Sequence, residues 1–330
     1  MRPAASSQVD WVPPVLMLAI ALGALALIGN PSTWVTLTVA GLAMGLLIFI
    51  MSSGLTLVFG LMDVMNFAHG LFIAVGAYVA VSTMKLLPGA AGSESFLANL
   101  GALVPAMLAA ALAAGVLGYF FERVIIKPVY GQHLKQILIT TGGMIVAEQL
   151  IHVLWGPDLL PLPRPSSLRG SFLVGDMAIE KFRLIAVVVG LVVFAAMVLL
   201  LNRTKIGLLI RAGVENKEMV EAMGYRIRRL FVAVFVAGSA LAGLGGALWG
   251  MYQESVTVAI GAHMMVLIFI VIIIGGLGSV GGCFVGAILV GLVANYVGYL
   301  SPKIALGSNI LLMVMVLLWR PQGLYPVSRQ

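Results

Sequence analysis

Charge is what this sequence has least of. Of 330 residues only 9% are Asp, Glu, Lys or Arg, against roughly a quarter in an ordinary soluble protein. Cysteine is nearly absent: Cys283 stands alone, so no internal disulfide forms and the redox compartment is unconstrained. Several motifs are missing as well. There is no Gly-x-x-x-x-Gly-Lys phosphate loop, no His-Glu-x-x-His, no cysteine pair and no nucleophile elbow. Together these absences exclude a soluble enzyme, a disordered chain and a nucleic-acid module. The net charge of +7 does not revive the last, because the cations lie between apolar runs rather than on one solvated face. What remains is grease: 61% apolar residues and a mean hydropathy of +1.11. No soluble fold of this length hides that much apolar surface, so the chain reads as a polytopic membrane protein.

A helix needs about 20 apolar residues to cross a bilayer core. Such runs fall near 12–29, 33–60, 66–84, 98–120, 136–155, 184–201, 230–251, 264–274, 283–300 and 303–319. The expected fold is all-α, with about ten transmembrane helices in two pseudo-repeated halves and a single domain over 1–330. The number falls to eight if two irregular segments are re-entrant. The first run, preceded by Arg2 and no small-residue cleavage site, is expected to be a retained helix. Segment 33–60 is long for one upright helix and holds Ser52-Ser53-Gly54. Segment 264–274 is short and runs into Gly275-Gly276-Leu277-Gly278-Ser279-Val280-Gly281-Gly282. Glycine costs a helix about 1 kcal/mol relative to alanine, so this tract marks a break, a re-entrant turn or a close backbone contact.

Orientation follows the Lys and Arg distribution. Segment 202–229 carries Arg203, Lys205, Arg211, Lys217, Arg226, Arg228 and Arg229 and is placed in the cytoplasm. Ten crossings then put both termini there. The opposite loop, 156–183, is nevertheless rich in cations: Arg164, Arg169, Lys181 and Arg183. A faint internal repeat matches Gly60-Leu61 with Gly276-Leu277, Val64 with Val280, and Gly70 with Gly286. Repeated broken helices in two halves of a transporter point to its substrate path.

Three stretches carry candidate chemistry. Asp63, Asn66 and His69 lie three apart and would share one face of a helix. Against lipid that face would be costly, so it should line a cavity. Equally, Asp63 or Asn66 could cap the helix that follows. Glu148, inside the run 136–155, is either a functional group or a buried structural one. Gln253, Glu254 and His263 are expected at the outer interface. In segment 202–229, residues 214–223 favour a short amphipathic helix. It has Val214, Met219, Val220 and Met223 on one side, Glu215, Glu218 and Glu221 on the other, and Gly224 as its C-cap. Held under a bundle it is a docking knob. Taken alone it is also compatible with a solvated loop. The scattered histidines suggest no metal site.

At Asn66-Phe67-Ala68-His69-Gly70, with Gly76-Ala77-Tyr78, the sequence resembles the permease subunits of ABC importers for branched-chain amino acids, the H-type subunit in particular. Three further stretches carry the likeness: Arg203-Thr204-Lys205-Ile206-Gly207 with Arg211-Ala212, then Ala222-Met223-Gly224, then Gly275-Gly276-Leu277-Gly278-Ser279 with Gly281-Gly282. The resemblance spans about 45–320. It implies a bacterial inner-membrane permease that pairs with a related M-type permease. Two cytoplasmic ABC ATPases would drive it and a periplasmic binding protein would feed it. ATP would bind the ATPases, leaving this chain without a cofactor. By likeness 213–225 is the coupling helix, with Gly213, Glu215, Glu218, Glu221, Ala222 and Gly224 meeting the ATPase. Many members have a carboxylate after Asn-Phe-Ala-His-Gly; this chain has Leu71. Relatives also import urea, short amides or aromatic acids, so the resemblance leaves the substrate open.

The expected mechanism is alternating access, with Asp63, Asn66, His69, Glu148, Gly275, Gly276 and Gly278 lining or gating the path. A gradient-driven carrier with a relay through Glu148, Asp63 and His69 is the rival reading from the residues alone. A channel and a membrane-embedded transferase are more distant ones.

Overall fold

The computed structural model describes residues 11–325; Arg2 and Arg329 lie outside them. Among the described residues, seven helices are long and apolar enough to cross a membrane. They are α2 (Pro31–Met62), α3 (His69–Leu86), α5 (Phe96–Phe121, extended to Val129), α6 (His133–Trp155), α7 (Lys181–Arg203), α10 (Ile227–Gln253) and α12 (Val280–Leu300). Three shorter apolar helices complete the set: α1 (Val12–Ile28), α11 (Ile260–Gly275) and α13 (Ala305–Trp319). Each of the ten expected segments is therefore a helix, in the expected order. The short pieces α4 (Pro88–Ala91), α8 (Lys205–Glu215) and α9 (Lys217–Ala222) lie in connections.

Local chemistry fixes the boundaries. Gly29, at φ +68, ends α1, and Asn30 caps α2 by accepting from the Thr33 amide at 3.1 Å, with Pro31 next to it in the first turn. The long, irregular segment holding Ser52-Ser53-Gly54 is one helix: α2 runs unbroken for 32 residues. The hydroxyls of Ser52, Ser53 and Thr56 donate to carbonyls one turn back, at 2.8, 2.9 and 2.9 Å. These polar groups are satisfied without opening the helix. Gly54 instead serves a contact, because a Cβ there would collide with the Gly238 carbonyl.

Contacts fix the directions. Met51 lies at Gly245 and Gly54 at Gly238, so α2 and α10 run antiparallel. Along α2 and α12, Gly41 meets Leu292, Gly45 meets Ala287, Ser52 Oγ lies 3.1 Å from Cys283 Sγ, and Gly60 faces Gly278; these helices are antiparallel too. Helix α10 passes through the middle of the bundle, against α2, α3 and α5. Between membrane helices lipid is as apolar as Leu, so association depends on close packing. Small residues at these crossings supply it. Helices α6 and α7 lie outside and stay largely exposed.

Helix α7 separates two ends of the bundle, about 34 Å apart at 1.5 Å per residue. At its start stands a hairpin, Ser171–Val174 with Met177–Glu180; at its finish lie α8 and α9. The hairpin end explains the surplus of cations in 156–183. Arg164 bonds Glu180 at 2.8 Å and Glu254 at 3.2 Å, and donates to the carbonyls of Met251 and Tyr252. Arg183 pairs with Glu180 at 2.7 Å, and Lys181 sits over the Phe172 ring. Three of these four cations, Arg164, Lys181 and Arg183, are thus engaged in ion-pair or ring contacts and do not form a free positive field. Arg169 donates to the Arg164 carbonyl.

Candidate functional site

Two residues other than glycine have positive φ among the described residues: Asp63 (φ 53) and Glu254 (φ 57). Each closes a long helix, α2 and α10 respectively. Each is followed by a short extended stretch and then a new helix whose N-cap is an alanine: Ala68 (φ −75, ψ 4) before α3 and Ala259 (φ −70, ψ −3) before α11. Asp63 thus corresponds to Glu254, Ala68 to Ala259 and Gly70 to Gly261. Earlier in the two helices, Gly54 corresponds to Gly245 and Leu57 to Leu248. This is an internal repeat, but not the one expected from sequence. Gly60 and Gly276 are not equivalent places: Gly60 lies in the last turn of α2 against Gly278, while Gly276, at φ +100, packs on the carbonyl of Tyr325.

The repeat is inverted, since α2 and α10 are antiparallel. Its breaks reach deep into the bundle. The His69 imidazole Nε2 lies 2.9 Å from the Met51 carbonyl. Met51 is eleven residues before the end of α2, about 17 Å at 1.5 Å per residue. The chain 63–66, closed by a turn at Phe67-Ala68, brings the start of α3 back to that level. From the other end, Val256 descends past Gly250, held by a bridge between Ser255–Val256 and Leu160–Pro161. Helix α11 then starts where a Cβ on Gly70 would lie 2.7 Å from the Gly261 carbonyl oxygen. The first turns of α3 and α11 meet backbone to backbone, midway through the molecule. Only glycine allows it at both positions. Irregular backbone at such depth is tolerated only when buried in protein or lining water.

Beside this junction is a cavity of about 640 Å3. Gln253, Ser255, Thr257 and His263 form its polar rim; Ile260, Met264 and Ile270 form its floor. The exposed face of α11 here, Ala259, Ala262, His263 and Val266, is not covered by the chain's own helices. The rim opens toward the hairpin end at Gln253, the last residue of α10, while polar groups beside the Gly261 junction such as His263 are expensive against lipid, which suits a wet path or a second subunit.

Asp63, Asn66 and His69 do not share a helical face. The left-handed Asp63 terminates α2; its carboxylate Oδ2 lies 3.8 Å from His133 Nε2. Asn66 is buried and its side-chain oxygen accepts from the Ala68 amide at 3.1 Å, which folds the turn into α3. The Phe67 amide donates to Thr140 Oγ1 at 3.2 Å. Glu148 is partly exposed on the outer helix α6, so the structure does not assemble Glu148, Asp63 and His69 into one chain. Gly275, Gly276 and Gly278 make the tight joint of α11 with α12: Gly275 packs on Gly282, and Leu324 and Tyr325 donate to the carbonyls of Ile274 and Gly275 at 2.8 and 3.0 Å. Sequence reasoning put Gln253 and His263 at an interface and missed that they rim a cavity. Their signal was the carboxylate-to-Ala-to-Gly spacing shared by 63–70 and 254–261.

The other end carries the second feature. Thr204 caps α8 by accepting from the Gly207 amide at 3.2 Å, and Gly207 lets α8 fold onto Leu201. Asn216 caps α9, accepting from Met219 at 2.9 Å, so the short helix begins at Lys217 rather than 214. Gly224 has φ +85 and ends the turn. Gly213 is wedged between Leu61 and Ile227, tying α8 to the end of α2 and the start of α10. Val220 anchors α9 at 1% exposure, while Met219, Met223 and Tyr225 stand more than half exposed. Glu218, Glu221 and Ala222 are exposed; Glu215 ends α8, and its side chain lies outside the described residues. The arrangement is an anchored helix presenting an apolar and acidic surface.

A family described as the permease component of the branched-chain amino acid transport system matches residues 37–319. The high-affinity branched-chain amino acid transport system permease protein BraD of Pseudomonas aeruginosa is 30% identical over 301 residues, covering 87% of this chain and 94% of that protein. The corresponding permease protein LivH of Escherichia coli K12 is 26% identical over 291 residues, covering 86% and 92%. LivM of the same organism is 28% identical over 326 residues, covering 89% and 71%.

Proposed function

Because the chain belongs to the branched-chain amino acid transport system permease family, we propose that it forms one half of a translocation path for branched-chain amino acids, driven by ATP hydrolysed on partner subunits. The observation that carries this reading is the pair of inverted breaks meeting at Gly70 and Gly261 beside the polar-rimmed cavity. A half-open cavity at membrane depth needs a second wall, and a related M-type permease supplies it. The floor of Ile260, Met264 and Ile270 suits an aliphatic side chain; the rim of Gln253, Ser255, Thr257 and His263 suits an amino acid's charged end.

The hairpin end faces the periplasm and receives a loaded binding protein. The α8–α9 end and both termini face the cytoplasm, where α9 docks into one of two ABC ATPases. Movement of α9 reaches α2 and α10 through Gly213, Leu61 and Ile227, and so tilts the two breaks against each other. The chain does no bond chemistry and holds no nucleotide or metal; its sequence has no phosphate loop.

The test is uptake of labelled leucine by liposomes containing the whole assembly. Uptake should require ATP and all subunits and should persist with an uncoupler present. Leucine transport by this chain alone, without nucleotide, would sink the reading. A flat response to leucine with a strong one to urea or benzoate would keep the machine and change its cargo.

A further inference from the structure

At the α9 end, α5 does not stop as an α-helix. It continues through a π-helical turn, Glu122–Ile126, which faces the start of α10 across a cavity of about 670 Å3. Such turns are frequent at functional sites. The cavity wall carries Arg123, Lys127, Arg226, Arg228 and Arg229 against the carboxylates of Glu122 and Glu221. Glu122 is already engaged: it is 1% exposed and accepts from the Tyr130 hydroxyl at 2.7 Å. Lys127, Arg226, Arg228 and Arg229 take part in none of the ion pairs among the described residues. Arg123 lies 5.5 Å over the Tyr119 ring.

A concave cluster with this surplus of cations concentrates anions, and the guanidinium fork matches phosphate oxygens. The neighbouring surface identifies the rest of the ligand. Tyr119, Phe120 and Val124, on the same end of α5, are exposed and apolar, and Val232 lies in the cavity wall. An anionic pocket-filler attached to hydrocarbon fits both surfaces. We propose that this cavity binds the phosphate of an anionic phospholipid, with the acyl chains lying along Phe120 and Val124. Glu221, Gly224 and Tyr225 form part of the same wall, so the bound headgroup braces the end of α9.

The test uses the purified full chain and measures lipid retention by native mass spectrometry, with phosphatidylglycerol, phosphatidylcholine and inorganic phosphate as probes. Transport is not read, so failure here is separate from failure of the transport reading. Phosphatidylglycerol should stay bound under conditions that strip phosphatidylcholine. The double variant Arg228→Gln, Arg229→Gln should lose phosphatidylglycerol by roughly tenfold or more, with the Arg228→Lys, Arg229→Lys pair retaining most of it. A second pair from the opposite wall, Arg123→Gln with Lys127→Gln, gives the same loss without touching α10. Equal retention of both lipids overturns the proposal, as does normal retention in either glutamine pair. Complete displacement of phosphatidylglycerol by millimolar inorganic phosphate also overturns it, because the site would then serve the free ion.

Discussion

A methyl group at Gly246 has nowhere to go: it would be driven into the Ile73 carbonyl, which is backbone and cannot swing aside. Gly246→Ala should therefore destabilise the protein by about 1–3 kcal/mol, read as a lower melting temperature of the detergent-solubilised chain. Gly101→Ala, where nothing lies within 4 Å of the new atom, should leave the melting temperature unchanged or raise it, since alanine favours helix by about 1 kcal/mol. Equal losses in both variants would mean the close contacts do not carry the packing. His69 is held by its own neighbours. It is buried at 1% exposure, and its ring touches the Met51 carbonyl and the edge of Phe72. His69→Ala should cost about 1–3 kcal/mol through the lost bond and leave the pH profile of leucine uptake where it was. A shifted profile would return His69 to the role of proton carrier.

At the scale of elements, the capping chemistry of α9 is the most exposed to test. Asn216→Ala removes one cap and should loosen this six-residue helix by about 1 kcal/mol. Stimulation of ATP hydrolysis by substrate-loaded binding protein should fall while the ATPases' basal rate holds. Glu221→Pro, which forbids the helix outright, should uncouple uptake from hydrolysis, and unchanged transport in that variant would remove α9 from the coupling path. The helices themselves were legible in the sequence because membrane spans announce themselves by length and apolarity, as α6 and α7 do. The caps at Thr204 and Asn216 rest on short-range patterns, and the Gly224 stop is readable on the same basis. The continuity of α2 was not legible. Ser52, Ser53 and Gly54 look like a break until it is known that the hydroxyls bond within the helix and that Gly54 touches Gly238. The repeat was misread for a similar reason. Glycine matches between 60–70 and 276–286 reflect shared tightness of packing, whereas the true correspondence, Asp63 with Glu254 and Gly70 with Gly261, depends on backbone angles that few letters encode. The cavity rim escaped notice because Gln253 and His263 flank the 254–261 pattern, whose meaning shows only once α11 starts at depth.

For the whole molecule, direction across the membrane can be read with single cysteines. Native Cys283 is fully buried against Ser52, so it stays silent to bulky reagents. Asp176→Cys, on the exposed hairpin, should react with a membrane-impermeant maleimide in intact cells. Met219→Cys should react only after the inner membrane is opened; the reverse pattern would invert the topology proposed here. The head-to-head meeting of α3 and α11 has a wider consequence. Two arms of one design, mounted upside down relative to each other and touching at a shared fulcrum, would behave as a balance beam in the proposed transport cycle. A tilt that loosens one arm's approach tightens the other's, so a passage open to both compartments at once would demand that both arms yield together. Leak-tightness would then come from the geometry of the joint, with no separate gate required.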